Sequence, residues 1–153
     1  MMNQTSKYRG LLDSGNRVSK TDIRPYGIYK ISTYKYVDEG RRTLKGADET
    51  LIFVTGVYQR KVSALKLSNI PPVPFLNWLR KVVGRNSYNE GMKRIDELKT
   101  PFDIGGNRIY DSYIKNYTDF VAKGAAYRTY NLDGIQYATE MFLNEKTLKQ
   151  YYG

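Results

Sequence analysis

The feature that most constrains the fold is a pair of strand-like runs between Thr50 and Pro72, TLIFVTGVYQRKVSALKLSNIPP. Both runs are rich in apolar and β-branched residues, which favours β-strands. Gln59 and Arg60 separate the two runs. Pro71 and Pro72 end the second run, because proline cannot donate to a strand ladder. The segment therefore predicts an antiparallel hairpin, with its turn either at these two residues or in a longer loop around them.

A two-residue turn would fix the register of this hairpin. Tyr58 would then face Lys61, and Val54 would face Leu65, so that apolar residues oppose each other on both faces. The turn sequence Gln-Arg is not a favoured one, since neither residue adopts a positive φ angle easily. We expect Val54 and Leu65 to be buried cross-strand partners.

The hairpin also lies in the most basic part of the chain. The 153 residues carry a formal net charge of +10, from 25 Lys and Arg against 15 Asp and Glu. Residues 50–84 hold five of these cations and no acid, whereas residues 85–153 hold ten cations and nine acids. A basic surplus of this size indicates a polyanionic partner or an acidic protein surface. The candidate binding residues are Tyr58, Arg60, Lys61, Lys66, Arg80 and Lys81.

Two interpretations of these candidates remain open. Cations beside an aromatic ring can bind nucleic acid through phosphate contacts and base stacking. Alternatively, the charges belong to a solvated hairpin tip that keeps an edge strand from aggregating. Arg80 and Lys81 extend the binding surface only if their helix presents the same side.

The composition argues against catalytic chemistry. The chain has no His and no Cys, which removes the usual general base, the thiol nucleophile and the zinc-thiolate ligands. Asp111 and Asp119 do not form the converging carboxylate set that a Mg²⁺-dependent nuclease needs. The stretch DIGGNR, residues 103–108, lacks the spacing of a nucleotide-binding loop and predicts a tight turn before a helix. We therefore expect no enzyme activity, no catalytic residues, no metal and no cofactor.

The remaining patterns predict a single α+β domain built on a small antiparallel β-barrel. Residues 1–24 are polar and without period, which predicts an N-terminal arm. Helical spacing places two or three helices in the second half, and no apolar stretch approaches the length of a membrane span. The predicted boundaries are an arm over 1–24, a barrel domain over 25–143 with a helical insertion at about 74–121, and a C-terminal tail over 144–153.

Four stretches carry a resemblance to a known group of proteins. They are YGIYKISTYKY, the hairpin segment closed by NIPP, YDSYIKNYTDFVAKGAAYRTYN and GIQYATEMFL. Through them, residues 25–143 resemble small uncharacterised proteins of myovirus-type tailed bacteriophages. The resemblance implies an SH3-like barrel and a virion protein made in the host cytoplasm. Some of these relatives carry a label related to the protection of DNA ends.

Two functions from different classes follow. The first is a non-enzymatic structural or assembly component of a phage particle, in the baseplate, tail or neck, with other phage structural proteins as partners. Its support is the excess of tyrosine, 15 residues, because tyrosine suits half-buried interfaces. The alternative is a basic nucleic-acid-binding protein that acts on phage DNA.

Overall fold

The computed structural model describes residues 6–34, 47–83, 87–93 and 127–152. Within these ranges the chain forms six strands and three helices and belongs to the α+β class. The strands are β1 (Leu12–Val18), β2 (Ile28–Tyr34), β3 (Ala47–Tyr58), β4 (Lys61–Lys66), β5 (Tyr127–Asn131) and β6 (Ile135–Leu143). The helices are α1 (Pro72–Val83), α2 (Tyr88–Lys93) and α3 (Glu145–Tyr152).

All six strands form one antiparallel sheet in the order β1-β6-β2-β3-β4-β5. β1 and β5 are its two edges, and in the part of the chain that the structure describes they do not pair with each other. The sheet is therefore open. The closed barrel expected from the sequence is not seen.

The connection between β5 and β6 nevertheless requires the sheet to be strongly rolled. These two strands are consecutive in the chain, yet three other strands separate them in the sheet. In a flat sheet, at about 4.8 Å per strand, they would lie roughly 19 Å apart. A single 3₁₀ turn, Leu132–Gly134, joins them, and at about 2 Å per residue such a turn spans only about 8 Å. The sheet must therefore curl until β5 approaches the start of β6.

The roll produces two hydrophobic cores, one on each face of the sheet. On the inner face, strand residues pack against one another, and no residue of α1, α2 or α3 takes part. The fully buried members of this inner core are Ile31, Ile52, Val54, Val62, Ala64, Ile135 and Ala138. The outer face is covered by the helices, and its core centres on Phe53, Leu65, Phe75, Leu76, Trp78, Leu79 and Tyr88.

Helix α1 closes the outer core as the sequence predicts. The spacing predicts a helix over residues 74–83, and the observed helix begins two residues earlier, at Pro72, a residue type that suits the first helical turn. Phe75, Leu76 and Leu79 are fully buried, and the ring of Trp78 lies 5.4 Å from that of Phe53 in an edge-on arrangement. Trp78 thus packs α1 onto the sheet.

The hairpin of β3 and β4 forms, but part of its predicted register is wrong. Tyr58 faces Lys61 as expected, whereas Val54 faces Ala64 and Phe53 faces Leu65. The cause is a β-bulge at Thr55, an extra residue that shifts the pairing by one and reverses the faces beyond it. Val54 and Leu65 are both fully buried, but Val54 lies in the inner core and Leu65 in the outer core.

The terminal segments are more ordered than the sequence indicates. The predicted N-terminal arm contains β1, which pairs with β6 along the edge of the sheet, so the prediction is wrong for this stretch. Its burial pattern explains the error, because the five residues inside the strand are exposed and polar or glycine. The predicted C-terminal tail forms α3, whose Leu148, Tyr151 and Tyr152 pack against the outer core.

Several predicted features lie outside the described residues: the part of the helical insertion after residue 93, the DIGGNR stretch, Asp111 and Asp119. Among the helices that the structure does describe, none is long and apolar enough to cross a membrane.

Candidate functional site

The turn between β3 and β4 is a two-residue turn with an uncommon backbone. Gln59 and Arg60 have φ angles of 46° and 61°, and positive values at both positions are what a type I′ hairpin turn requires. This conformation costs a non-glycine residue about 1–2 kcal/mol. Gln-Arg is not a favoured sequence for this turn, yet the chain adopts it, with both residues in a strained backbone conformation.

Contacts from the β5–β6 connection hold this turn in place. The backbone N–H of Leu132 donates to the carbonyl oxygen of Arg60 at 2.9 Å. The Arg60 guanidinium also forms an ion pair with the Asp133 carboxylate. The partner is 73 residues away along the chain, and only the roll of the sheet brings it to the turn. The hairpin segment contains no acid of its own, but the fold supplies one.

A cleft of about 570 Å³ opens beside this turn. Its volume falls within the range of about 300–1,000 Å³ that is usual for ligand-binding clefts. Four segments build it: the end of β2, the turn, β5 and the start of β6. The lining residues are Thr33, Tyr34, Gln59, Arg60, Lys61, Thr129, Tyr130, Asn131, Asp133, Gly134 and Ile135.

Lys61 is the second cation of the cleft. It is exposed, it faces Tyr58 across the hairpin and Asn131 across β4 and β5, and it forms no ion pair with any residue that the structure describes. Among the described lining residues, the charged ones are Arg60, Lys61 and Asp133. Burial raises the pKa of Tyr130, and the positive charge of Arg128 partly opposes that rise.

The hairpin tip also exposes apolar surface. Val57 is 38% exposed and Tyr58 is 71% exposed. In the described ranges only one other large hydrophobic side chain is exposed, Val73 on α1 at 53%. Two of the three are therefore consecutive in sequence at the end of β3, where their side chains point to opposite faces of the hairpin. We use "the tip" below for Val57, Tyr58, Gln59, Arg60 and Lys61.

The other predicted binding residues lie elsewhere. Lys66 is half-buried at the far end of β4, about 17 Å from Lys61 along the strand at about 3.3 Å per residue. Arg80 is exposed on α1. Burial raises the pKa of Tyr152 on α3, and the positive charge of Arg80 partly opposes this rise. The side chain of Lys81 lies outside what the structure describes. Of the six candidates, Tyr58, Arg60 and Lys61 come together at the tip, and Lys66 and Arg80 do not join them.

Most of the described tyrosines stabilise the core rather than form a surface. The hydroxyl groups of Tyr8, Tyr29 and Tyr88 bond to backbone groups inside the protein. Tyr8 donates to the carbonyl oxygen of Ile70 at 2.8 Å, and the N–H of Ile28 donates to the hydroxyl of Tyr88 at 2.6 Å. Tyr58 is the one exposed tyrosine among those whose exposure the structure describes. Among these tyrosines, Tyr58 is therefore the one that supports an interface, and it lies at the tip.

The cleft also contains residues of β2, β5 and the β5–β6 connection, and none of these is predicted as a site residue from the sequence. The stretch NLDG, residues 131–134, carries a turn signal that could have been read. Nothing local shows that this turn meets the hairpin, because their contact depends on the roll of the whole sheet.

Neither a metal cluster nor a known relative adds information on the cleft. Within the described ranges, no three His, Cys, Asp or Glu side chains gather where they could hold a metal ion. Comparison with known proteins finds no matching family model, no matching curated protein and no matching solved structure.

Proposed function

We propose that this chain is a non-enzymatic structural or assembly subunit that binds a protein neighbour through the tip. The observation that carries this proposal is the exposure of Tyr58 beside the cationic Lys61, with Val57 exposed on the other face of the hairpin. Aromatic residues are enriched at the centres of protein interfaces, where one side of the ring is buried and the hydroxyl stays wet. An exposed aromatic on a hairpin held firmly by Leu132 and Asp133 is suited to such a contact.

We further propose that the assembly is the particle of a tailed bacteriophage, in the baseplate, tail or neck. The support is the resemblance of residues 25–143 to small proteins of myovirus-type phages. The rolled sheet, with β5 and β6 joined by one 3₁₀ turn, is compatible with an opened form of the SH3-like barrel that this resemblance implies. The lack of His and Cys in the sequence supports a role without catalysis.

Particles purified from the phage that carries this gene test the proposal. We expect the chain in them at a fixed copy number, measured by quantitative mass spectrometry. Changing Val57 and Tyr58 to Ser should remove it from the particles while the purified variant still unfolds cooperatively. Val73→Ser is the matched control, because it removes an exposed apolar side chain from α1 instead, and it should be incorporated normally. Absence of the parent chain, or equal incorporation of the tip variant, would contradict the proposal.

Binding to phage DNA is the second candidate, and the pairing of Tyr58 with Lys61 favours it. The ring offers a stacking surface and the ammonium a phosphate contact. With Arg60 engaged by Asp133, and Lys66 and Arg80 placed elsewhere, few phosphates can be contacted at once. Each phosphate contact contributes about one to the salt slope of binding. A slope steeper than about −3 on a DNA duplex would favour this candidate over the protein interface.

A further inference from the structure

The cleft beside the tip is lined by residues with polar side chains. Gln59, Asn131 and Thr129 are among the residues that line it, and their side chains carry amide and hydroxyl groups. Amide and hydroxyl groups can both donate and accept, as an extended polypeptide backbone requires. The turn residues Gln59 and Arg60 are held in a fixed, strained backbone. Such strain is typical of functional positions.

The charges of the cleft select a particular kind of partner. Arg60 contacts Asp133 through one terminal nitrogen and one carboxylate oxygen. A guanidinium has five N–H donors, so this contact leaves Arg60 with donors for a second carboxylate. Lys61 brings three more donors, and no described residue pairs with its charge. Among the described residues, the site therefore combines two cations with one acid.

We propose that the cleft binds an extended acidic segment of the partner protein, with a carboxylate of that segment held between Lys61 and Arg60. This inference rests on the proposed protein-binding function of the tip and names the chemistry of the partner. A continuous phosphate chain fits less well, because the Asp133 carboxylate lies in the lining and repels closely spaced negative charges. Separate carboxylates on a peptide can avoid it while the amides bind the backbone.

Fluorescence anisotropy with the full chain tests this inference. The probes are a labelled peptide of alternating Gly and Glu, its Gly-Gln counterpart of equal length, and a labelled single-stranded oligothymidine. We expect the Gly-Glu peptide to bind and the Gly-Gln peptide to bind at least about tenfold more weakly, equal to about 1.4 kcal/mol. Lys61→Gln should weaken the Gly-Glu complex by about tenfold. Lys66→Gln, on the same strand but away from the cleft, should change it by less than about twofold.

Asp133→Asn supplies a second, independent measurement. Removing this negative charge should tighten binding of the Gly-Glu peptide by about two- to threefold, because the repelling carboxylate is gone. Equal binding of both peptides, no binding of either, or equal effects of the Lys61 and Lys66 variants would overturn the inference. Tighter binding of the oligothymidine, with the same loss in Lys61→Gln, would also overturn it and assign the cleft to nucleic acid.

These failures can be told apart from failure of the proposed function. If particle incorporation depends on Val57 and Tyr58 but the Gly-Glu peptide does not bind, the tip is a protein interface. The cleft then does not bind an acidic segment of the partner. If the chain is absent from particles, the proposed function fails whatever the peptides do.

Discussion

The strained turn allows a quantitative test of how the hairpin tip is built. Asn-Gly is the sequence that tolerates positive φ at both central positions of a type I′ turn. The φ angles of 46° at Gln59 and 61° at Arg60 place two ordinary residues where Asn and Gly are preferred. Replacing them one at a time separates the backbone strain from the side-chain contacts.

Gln59→Asn should stabilise the protein. The strain at a non-glycine residue with positive φ is about 1–2 kcal/mol, and Asn avoids part of it through its local hydrogen bonding. The Gln59 side chain forms no hydrogen bond with any residue that the structure describes, so the change removes none there. We expect the free energy of unfolding to rise by about 0.5–1 kcal/mol, or about 1–4 °C in Tm for a chain of this size.

Arg60→Gly should change stability little, because two effects oppose each other. Glycine removes about 1–2 kcal/mol of strain but adds about 0.4–1 kcal/mol of flexibility to the unfolded chain. The exposed ion pair with Asp133 is also lost, and pairs of this kind contribute about 0.2–1 kcal/mol. In an Asp133→Asn background there is no ion pair to lose, so the same change should stabilise by about 0.5–1 kcal/mol.

Urea unfolding followed by tryptophan fluorescence measures these differences. The chain has a single tryptophan, Trp78, and it is buried in the outer core next to Phe53, so its emission reports on global unfolding. The reasoning is refuted if Gln59→Asn lowers the free energy of unfolding by more than about 0.5 kcal/mol, well outside the gain expected from relief of strain. It is also refuted if Arg60→Gly has the same effect with and without the Asp133 carboxylate.

Three further predictions concern the cores. Leu65→Ala should cost about 2–5 kcal/mol in urea unfolding because Leu65 is fully buried, whereas Val73→Ala on the exposed face of α1 should cost under about 0.5 kcal/mol. Tyr88→Phe leaves a buried strand N–H without its acceptor and should cost about 1–3 kcal/mol, while Tyr58→Phe should be neutral. Burial raises the pKa of Tyr8 and Tyr88 above the ordinary tyrosine value of 10.0, so the unfolded chain loses these protons first. Stability should therefore hold up to about pH 10 and fall above it, and a stability in urea that rises there would contradict this assignment.

The sequence predicted the local elements well and the long-range contacts poorly. The β3–β4 hairpin and α1 follow from local signals, namely apolar runs, proline and helical spacing. The register beyond Thr55 could not be predicted, because one extra residue in a strand leaves no mark on the apolar pattern but reverses every face after it. In β6, Gln136 is likewise an extra residue opposite the β2 positions Ser32 and Thr33.

In the candidate site, too, the sequence predicts the residues that are neighbours in the chain but not the long-range contact. Tyr58, Arg60 and Lys61 are adjacent in sequence and could be predicted as a group. Asp133 could not, since it reaches the turn only because the sheet rolls enough for one 3₁₀ turn to join β5 and β6. This contact changes the chemistry of the site. The hairpin segment has no acid of its own, but Asp133 places a carboxylate beside Arg60 in the cleft.

The turn links these observations on stability to the proposed function. If Asn-Gly stabilises the hairpin and also weakens binding of the acidic peptide, the strain accompanies a binding role for Arg60, as is typical of functional turns. Glycine at position 60 keeps the backbone bond from Leu132, because that bond needs only the carbonyl oxygen. It removes the Arg60 side chain together with its guanidinium. A loss of peptide binding in this variant would then be due to the missing donors of Arg60 and not to a displaced turn.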